Sequence, residues 1–462
     1  MTLLEAARAL RERRVSAVEL GEAALAAIER LNPKLNAFLL VTRERALERA
    51  RLADRELAEG HDRGPLQGIP VALKDLFHMT GVATTGGSPL YAGLVPREDS
   101  TVVARLEAAG AVILGKLNLH ELAYGITSDN PHFGAVRNPW NGAHSPGGSS
   151  GGSGAAVASE MVFAAMGTDT GGSIRIPASF CGTVGIKPTY GRVSRHGVLP
   201  LGYTLDHVGP LARTARDAAA VLHAIAGRDP KDDSSSARPV TEYVPAEGCS
   251  IRGVKIGVPN NFYFDRVQED VEASVRKAIA RAEGLGAEVL PVTVPDMAAV
   301  NAAARVILLG EASAVYHTEI AERRGEMGAD VRALLDQGRL VAATDYINAQ
   351  RLRRRMQAEF ERLWDEVDCL MTPATPNAAP AIGETMLRFG GVEEDVRLAS
   401  TRLVRGINLL GLPALSLPCG LTRTGLPVGL QVIGPRFAEG RILRIAAALE
   451  DSGLTLPECP CR

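Results

Sequence analysis

Three things are scarce in this sequence, and each scarcity removes a class of function. Charge of one sign is the first: 51 basic residues stand against 53 acidic ones, a net charge of −2. Lys and Arg are interspersed with Asp and Glu, so there is no electrostatic footprint for a nucleic acid. The densest basic run, Arg351, Arg353, Arg354 and Arg355, travels with Glu359 and Glu361 and reads as a solvated helix face. Cysteine is the second. Cys181, Cys249, Cys369, Cys419, Cys459 and Cys461 lack metal-ligand spacing, and so few in a long chain fit a reducing compartment. Cys459 and Cys461 form a C-x-C at the extreme tail, where disorder is expected rather than a site. Long apolar runs are the third. No stretch approaches the ~18 apolar residues of a membrane span, and MTLLEAARALRERR at the start has no apolar signal-peptide core. The expectation is a cytoplasmic protein with neither membrane nor nucleic-acid partner.

Glycine, by contrast, is plentiful at 48 of 462 residues, well above the usual ~7%. Its placement matters more than its number. Residues 2–60 read as helices: Ser16 and Glu19 fit a capping box, and Leu20, Ala24, Ile28 and Leu31 follow at helical spacing. Asn32-Pro33 is expected to break that helix. From Ile69 short apolar strands alternate with capped helices. IPVAL (69–73) and AVILG (111–115) are strands flanking a helix capped by Ser100 and ended by Gly110. VKIGV (254–258), a helix over 269–286 and AEVLPVTV (287–294) repeat the rhythm. Helical stretches at about 296–325 and 342–366 and the strands CLMTPA, ALSLPCG and PVGLQVIG complete it. Such alternation predicts a sheet with helices on both faces. The polar stretch 228–248 reads as a surface excursion within one domain.

Between Ser145 and Arg175 the chain reads SPGGSSGGSGAAVASEMVFAAMGTDTGGSIR. Two Gly-Gly-Ser clusters end at Ser149 and Ser173, 24 residues apart, with a helix-like and a strand-like stretch between them. Glycine doublets let the backbone take positive φ and turn N–H groups inward, a nest for an oxyanion or phosphate. An isolated GGSSGG would be a flexible linker; here it lies between core elements. The third copy, Gly86-Gly87-Ser88, shows that the tripeptide alone proves little. Three rival motifs fail. GGSSG (147–151) matches G-x-S-x-G, but NPWNGAHSP precedes it instead of the buried strand a nucleophile elbow needs. Ser274-x-x-Lys277 and Ser128-Asp129-Asn130 occur in the reverse of the β-lactamase order. No lysine follows either cluster at phosphate-loop spacing.

A longer pattern is specific. GIPVALKD (68–75), GKLNLHEL (115–122), NPWNGAHSPGGSSGGSGAAVA (138–158), GTDTGGSIRIPASFCGTVGIKPTYGRVS (167–194) and LDHVGPLART (205–214) together resemble the amidase signature family. MTPATP (371–376) and NLLGLPALSLPCG (408–420) extend the resemblance to the tail. It implies an α/β fold, a single large domain whose mixed twisted sheet is covered by helices on both faces. A helical segment at 1–60 would pack on a core of 61–455, with 456–462 a tail.

The resemblance also implies roles. Ser173 is the nucleophile, Ser149 follows a cis peptide bond and carries the proton, and Lys74 is the base. The chemistry is sound, because a serine hydroxyl needs a base within hydrogen-bond reach and burial can keep a lysine neutral. No histidine falls in either cluster, although His144 lies close; Lys116 and Lys187 are rivals that only the family pattern demotes. The backbone N–H groups of Thr170, Gly171, Gly172 and Ser173 are the implied oxyanion hole. Tyr124 and Gly125 are implied to line the substrate pocket. Ser150 is expected to bond within the relay without being essential, and Asp169 and Arg175, which flank the second cluster, read as a structural ion pair rather than as catalysts.

The activity implied is hydrolysis of linear amide C–N bonds outside peptides, with no metal or organic cofactor and a small-molecule amide as partner. A homo-oligomer stays open, as do carbamate, ester or nylon-type oligoamide substrates. One branch of the family is the glutaminase subunit of the tRNA-dependent amidotransferases. It usually has Gln where this chain has Ile176, and an aspartate near the position of Thr401. Those departures make a stand-alone amidase the expectation.

Overall fold

The computed structural model describes residues 1–461. Near the N-terminus lie α1 (Leu3–Arg11), α2 (Ala17–Leu35), β1 (Phe38–Val41) and α3 (Arg43–Ala58). Thr2 with Glu5 and Ser16 with Glu19 form capping boxes that start the first two helices. The expected break at Asn32-Pro33 does not occur. Pro33 sits within the last turn of α2, so the helix runs only two residues beyond it, and Asn36 at φ 51° ends the helix. β1, inside a region expected to be all helix, pairs antiparallel with β3 and forms a sheet edge.

The central part runs β2 (Pro70–Lys74), α4 (Thr101–Ala108), β3 (Val112–Leu117), a small ribbon of β4 (Asp129–Asn130) and β5 (Gly134–Ala135), then α5 (Gly151–Ala158). β6 (Ala164–Asp169), α6 (Arg175–Cys181), β7 (Val184–Lys187), β8 (His207–Ala212) and α7 (Ala215–Ile225) follow. Beyond the excursion come β9 (Lys255–Pro259), α8 (Glu269–Gly284) and β10 (Glu288–Val292). The helices α9 (Met297–Val315), α10 (His317–Glu322), α11 (Ala329–Gly338) and α12 (Ala343–Leu363) lead to β11 (Cys369–Pro373). The hairpin β12 (Met386–Phe389) and β13 (Val392–Asp395), then α13 (Val396–Thr401) and α14 (Arg405–Leu410), precede β14 (Ala414–Leu421), β15 (Pro427–Ile433) and α15 (Glu439–Asp451).

Eleven strands form one mixed sheet in the order β1-β3-β2-β6-β8-β7-β14-β15-β11-β9-β10. β3, β2 and β6 run parallel, as do β11, β9 and β10; the strands between them pair antiparallel. β2, β3, β6, β8 and β15 are buried along their whole length, as strands covered on both faces must be. This is the single-domain α/β fold expected of the sequence.

Three local expectations need correction. α9 is by length and composition apolar enough to cross a membrane, although no run of that kind was expected. Here it packs against α11, α12 and α14, with Glu311 mostly buried on its inner face. Within the basic run, Arg353 turns inward. It donates to the Leu409 carbonyl at 2.7 Å and to Thr204 Oγ1 at 2.8 Å, while Arg351, Arg354 and Arg355 stay exposed. The tail is packed as far as Cys461: Cys459 is buried, and its Sγ lies 3.4 Å from that of Cys461 with no disulfide between them. Arg462, the last residue of the expected tail, lies outside the described residues.

Candidate active site

β2 and β6 are parallel neighbours, so their C-terminal ends open at one place. Crevices of this kind are where α/β sheets collect functional groups. Lys74 ends β2 and Thr168 lies at the end of β6. The loop before α5 supplies Ser149 and Ser150, and the turn from β6 into α6 supplies Thr170 to Ser173. Ser150 N–H donates to the Ser173 carbonyl at 3.3 Å and ties the two turns together. The Gly148–Ser149 peptide is cis.

Lys74 is completely buried, and its contacts define its state. Nζ lies 2.7 Å from Ser149 Oγ, 3.0 Å from Ser150 Oγ and 2.8 Å from Thr168 Oγ1. All three partners are hydroxyls. Burial drives the lysine down to about 7, against the more distant charges of Asp169 and Asp206, which favour the ammonium. Thr168 was not anticipated; it lies five residues before Ser173 and only the strand geometry turns its side chain to the amine.

Asp169 organises the turn around Ser173. Its Oδ1 accepts from Gly172 N–H at 2.7 Å and its Oδ2 from Ile174 N–H at 3.1 Å. The same carboxylate accepts from Arg175 Nε at 3.1 Å and Nη2 at 3.0 Å, and from Asn408 Nδ2 at 2.8 Å. Burial would raise its pKa, but Arg175, Lys187 and Asn408 outweigh that and lower it. Asp169 and Arg175 thus make the ion pair expected, with the remaining Arg175 donors on Gln431 and Asn408. Buried pairs are tolerable only with their hydrogen bonds filled.

This arrangement corrects the expected oxyanion hole. The Gly172 amide is committed to Asp169, whereas no described residue accepts a hydrogen bond from the amides of Thr170, Gly171 or Ser173. Gly172 contributes shape instead: at φ 123° an added Cβ would lie 2.4 Å from Val404 Cγ2. The Ser173 hydroxyl hydrogen-bonds no described residue and borders a cavity. That cavity also takes in Thr170, Gly171, Tyr124 and Gly125. Gly125 leaves room for His120, whose Nε2 would be 2.1 Å from a Cβ there. The Tyr124 hydroxyl is buried without a partner, and burial raises its pKa. On the far side of Thr170 lies a wider cleft of about 410 Å³, bordered by Asp206, Arg195 and Asp232.

The rival groups sit elsewhere. Lys116 Nζ contacts Asp75 Oδ1 at 2.9 Å, and Lys187 Nζ donates to the Leu412 carbonyl at 2.5 Å. His144 forms a bridge with Ala381, away from both serines. Of the two branch-marking positions, Ile176 is buried in an apolar cluster with Phe180 and Val404, and Thr401 borders the cavity itself. Among the described residues no group of three His, Cys, Asp or Glu is placed to hold a metal.

Known proteins resemble this chain along nearly its whole length. The amidase family profile matches residues 19–443. The A subunit of the glutamyl-tRNA(Gln) amidotransferase of Anaeromyxobacter sp. (strain K) is 42% identical, over 99% of this chain and 97% of that protein. A solved chain from a vestigial protein complex bearing on the origins of an s-triazine catabolic enzyme superposes with TM-score 0.96 at 36% identity, covering 99% and 100% of the two chains. Peptide amidase from Stenotrophomonas maltophilia gives TM-score 0.87 at 32% identity, covering 99% and 98%. The chain belongs to the amidase signature family and is an amidase-type hydrolase.

Proposed function

We propose that this chain hydrolyses a small carboxylic amide by acyl transfer through Ser173, with Lys74 as base and Ser149 as proton carrier. The observation that carries the reading is a buried lysine at about 7 whose three contacts are all hydroxyls. A neutral amine accepts one hydrogen bond and donates two, which matches three hydroxyl partners. Ser149 passes its proton to Nζ and takes that of Ser173, and Ser173 Oγ bonds to the amide carbon. The oxyanion faces the amides of Thr170, Gly171 and Ser173, each such donor being worth about 3–4 kcal/mol. Collapse breaks the C–N bond as the relay returns a proton to nitrogen. Water then adds to the ester by the same relay, and the acid departs.

Ser173 Oγ must rotate to meet Ser149, a tightening common once substrate is bound. The relay itself typically contributes about 10²–10⁴-fold. Esters, carbamates and nylon-type oligoamides present the same carbonyl to the same groups. The chemistry calls on no metal, so turnover is expected to persist in a chelator. The test is an amide panel on the purified chain beside Ser173→Ala, with at least about 10⁴-fold loss expected. A serine-directed sulfonyl fluoride is expected to label the native chain alone. Full-speed turnover by the variant would end the proposal.

A second reading is favoured by the relative that is 42% identical along nearly its whole length and named as part of an amidotransferase. On that reading the chain is a glutaminase working within a partner complex. The stand-alone expectation draws no support from this relative. It rests on Thr401 in the cavity, since Ile176 faces the core. Hydrolysis of simple amides by the chain alone supports the first reading; glutamine turnover that requires a partner complex supports the second.

A further inference from the structure

The cavity beside Ser173 is cationic on one side. Arg305 from α9, Arg397 from α13 and Arg405 at the start of α14 all border it. Each is half-buried, and none has a carboxylate partner among the described residues. Arg405 uses one donor, to Thr401 Oγ1 at 2.5 Å. Arg305 reaches Gln337 Oε1 only at 3.5 Å, and no hydrogen bond holds the Arg397 guanidinium among the described residues. The nearby acid, Asp395, caps α13 by accepting from Leu398 N–H at 3.0 Å.

Two other arginines are held differently. Arg175 is saturated by Asp169, Asn408 and Gln431. Arg266, on the neighbouring surface, pairs with Glu394. Three guanidiniums converging without an acid leave planar donor forks unused, and such forks fit carboxylates. Burial and the charges of Arg397 and Arg305 bring Arg405 down to about 10, so an anion placed there relieves a repulsion already present.

Position and shape narrow the ligand. Arg405 crosses over Gly171: a Cβ on that glycine would lie 3.7 Å from Arg405 Cγ and 4.0 Å from its Nε. The cationic group is therefore next to the turn that carries Ser173. Leu308, Leu309 and Leu334 form apolar wall, and the buried Tyr124 hydroxyl is an unused donor on the same cavity. The free volume is about 50 Å³; one water takes roughly 10–15 Å³, so a chain of only a few non-hydrogen atoms fits. Thr401 offers no negative charge to receive an ammonium.

We propose that the amide cleaved at Ser173 carries a carboxylate at the end of a short acyl chain, held by Arg397 and Arg405 with Tyr124 donating, and carries no ammonium group. The substrate class is the monoamide of a short dicarboxylic acid or a close analogue. This rests on the amidohydrolase reading above and names its substrate class.

Three amides differing by one group at a time test it: glutaramate, pentanamide without its carboxylate, and glutamine with an added ammonium. On the intact chain glutaramate is expected to exceed each of the others by about 10- to 100-fold in kcat/KM, the worth of one charge-assisted hydrogen bond. Arg405→Met and Arg397→Met are expected to shrink the glutaramate-to-pentanamide ratio towards one. Binding of glutarate, followed by calorimetry, reads the same site without turnover and is expected to weaken at least about tenfold in each variant. Equal use of pentanamide and glutaramate, with no glutarate bound at millimolar concentration, overturns the anion site and leaves the amidohydrolase intact. Glutamine preferred to glutaramate overturns the exclusion of an ammonium. Failure of the sulfonyl fluoride to label Ser173 while glutarate still binds strikes the catalytic reading instead.

Discussion

Lys74 and Lys116 sit on neighbouring strands, one residue out of register, with both amines buried. They are held in opposite ways. Lys116 meets a carboxylate, Asp75, at 2.9 Å, together with the Phe77 carbonyl at 2.6 Å and Thr84 Oγ1 at 3.0 Å. Lys74 meets only hydroxyls. Burial lowers both, but Lys116 has an opposing charge in direct contact, whereas the acids that favour the ammonium of Lys74 act from further away. Burial alone therefore does not make a lysine a base. The partner decides: a carboxylate fixes the charge as structure, and hydroxyls leave it free to move.

The largest effect that could break this comparison is on turnover. Lys74→Met is expected to cut kcat/KM by about 10³- to 10⁴-fold, the scale of a lost proton relay, with the chain still folded by circular dichroism. Activity within tenfold of the native chain would remove Lys74 from the mechanism. Lys116→Met is expected to act on stability, because it strands Asp75 in the interior. Breaking a buried pair costs about 3–5 kcal/mol, readable as a lower urea midpoint. Adding Asp75→Leu to Lys116→Met is expected to recover much of that loss. A double variant no more stable than the single one would mean that Lys116 is not a strut for Asp75.

The pH profile sharpens the contrast further. A base works only when deprotonated, so kcat/KM is expected to climb as pH rises and level off above a midpoint near 7, the value to which burial brings Lys74. Lys116 contributes no such inflection. A profile that peaks below neutral contradicts the assignment.

How much of this was visible in the sequence follows from where each group comes from. The central residues lie in contiguous motifs, so the residues of IPVALK, GGSSGG and DTGGSIR by themselves read as a strand end and two tight turns. The sheet was legible for the same reason, since β2, β3, β9 and β10 are short apolar runs between capped helices. β1 was hidden because four residues of strand between two helices leave too short an alternation to read. The commitment of the Gly172 amide was in principle visible: Asp169 lies three residues upstream, the spacing of a local side-chain cap. The arginines were not. Arg305, Arg397 and Arg405 come from three separate helices and converge only through the packing of α9 against α14 and of α13 beside them.

The smallest effect concerns the residue that sequence reasoning missed. Thr168 Oγ1 is one of three hydroxyls on Lys74, at 2.8 Å. Thr168→Val keeps the shape of the strand end and removes one hydrogen bond, worth about 1 kcal/mol or a few-fold in rate. Its direction is informative. A hydroxyl stabilises an ammonium more than an amine, so its loss is expected to move the pH midpoint down from about 7, while the plateau falls only a few-fold as Nζ loses part of its alignment on Ser149. The corresponding change beside Lys116, Thr84→Val, removes a 3.0 Å contact and is expected to leave the midpoint where it was. Equal displacement by both variants would mean that the two lysines are electrically alike, and the distinction between a strut and a base would then have to lie in the serines.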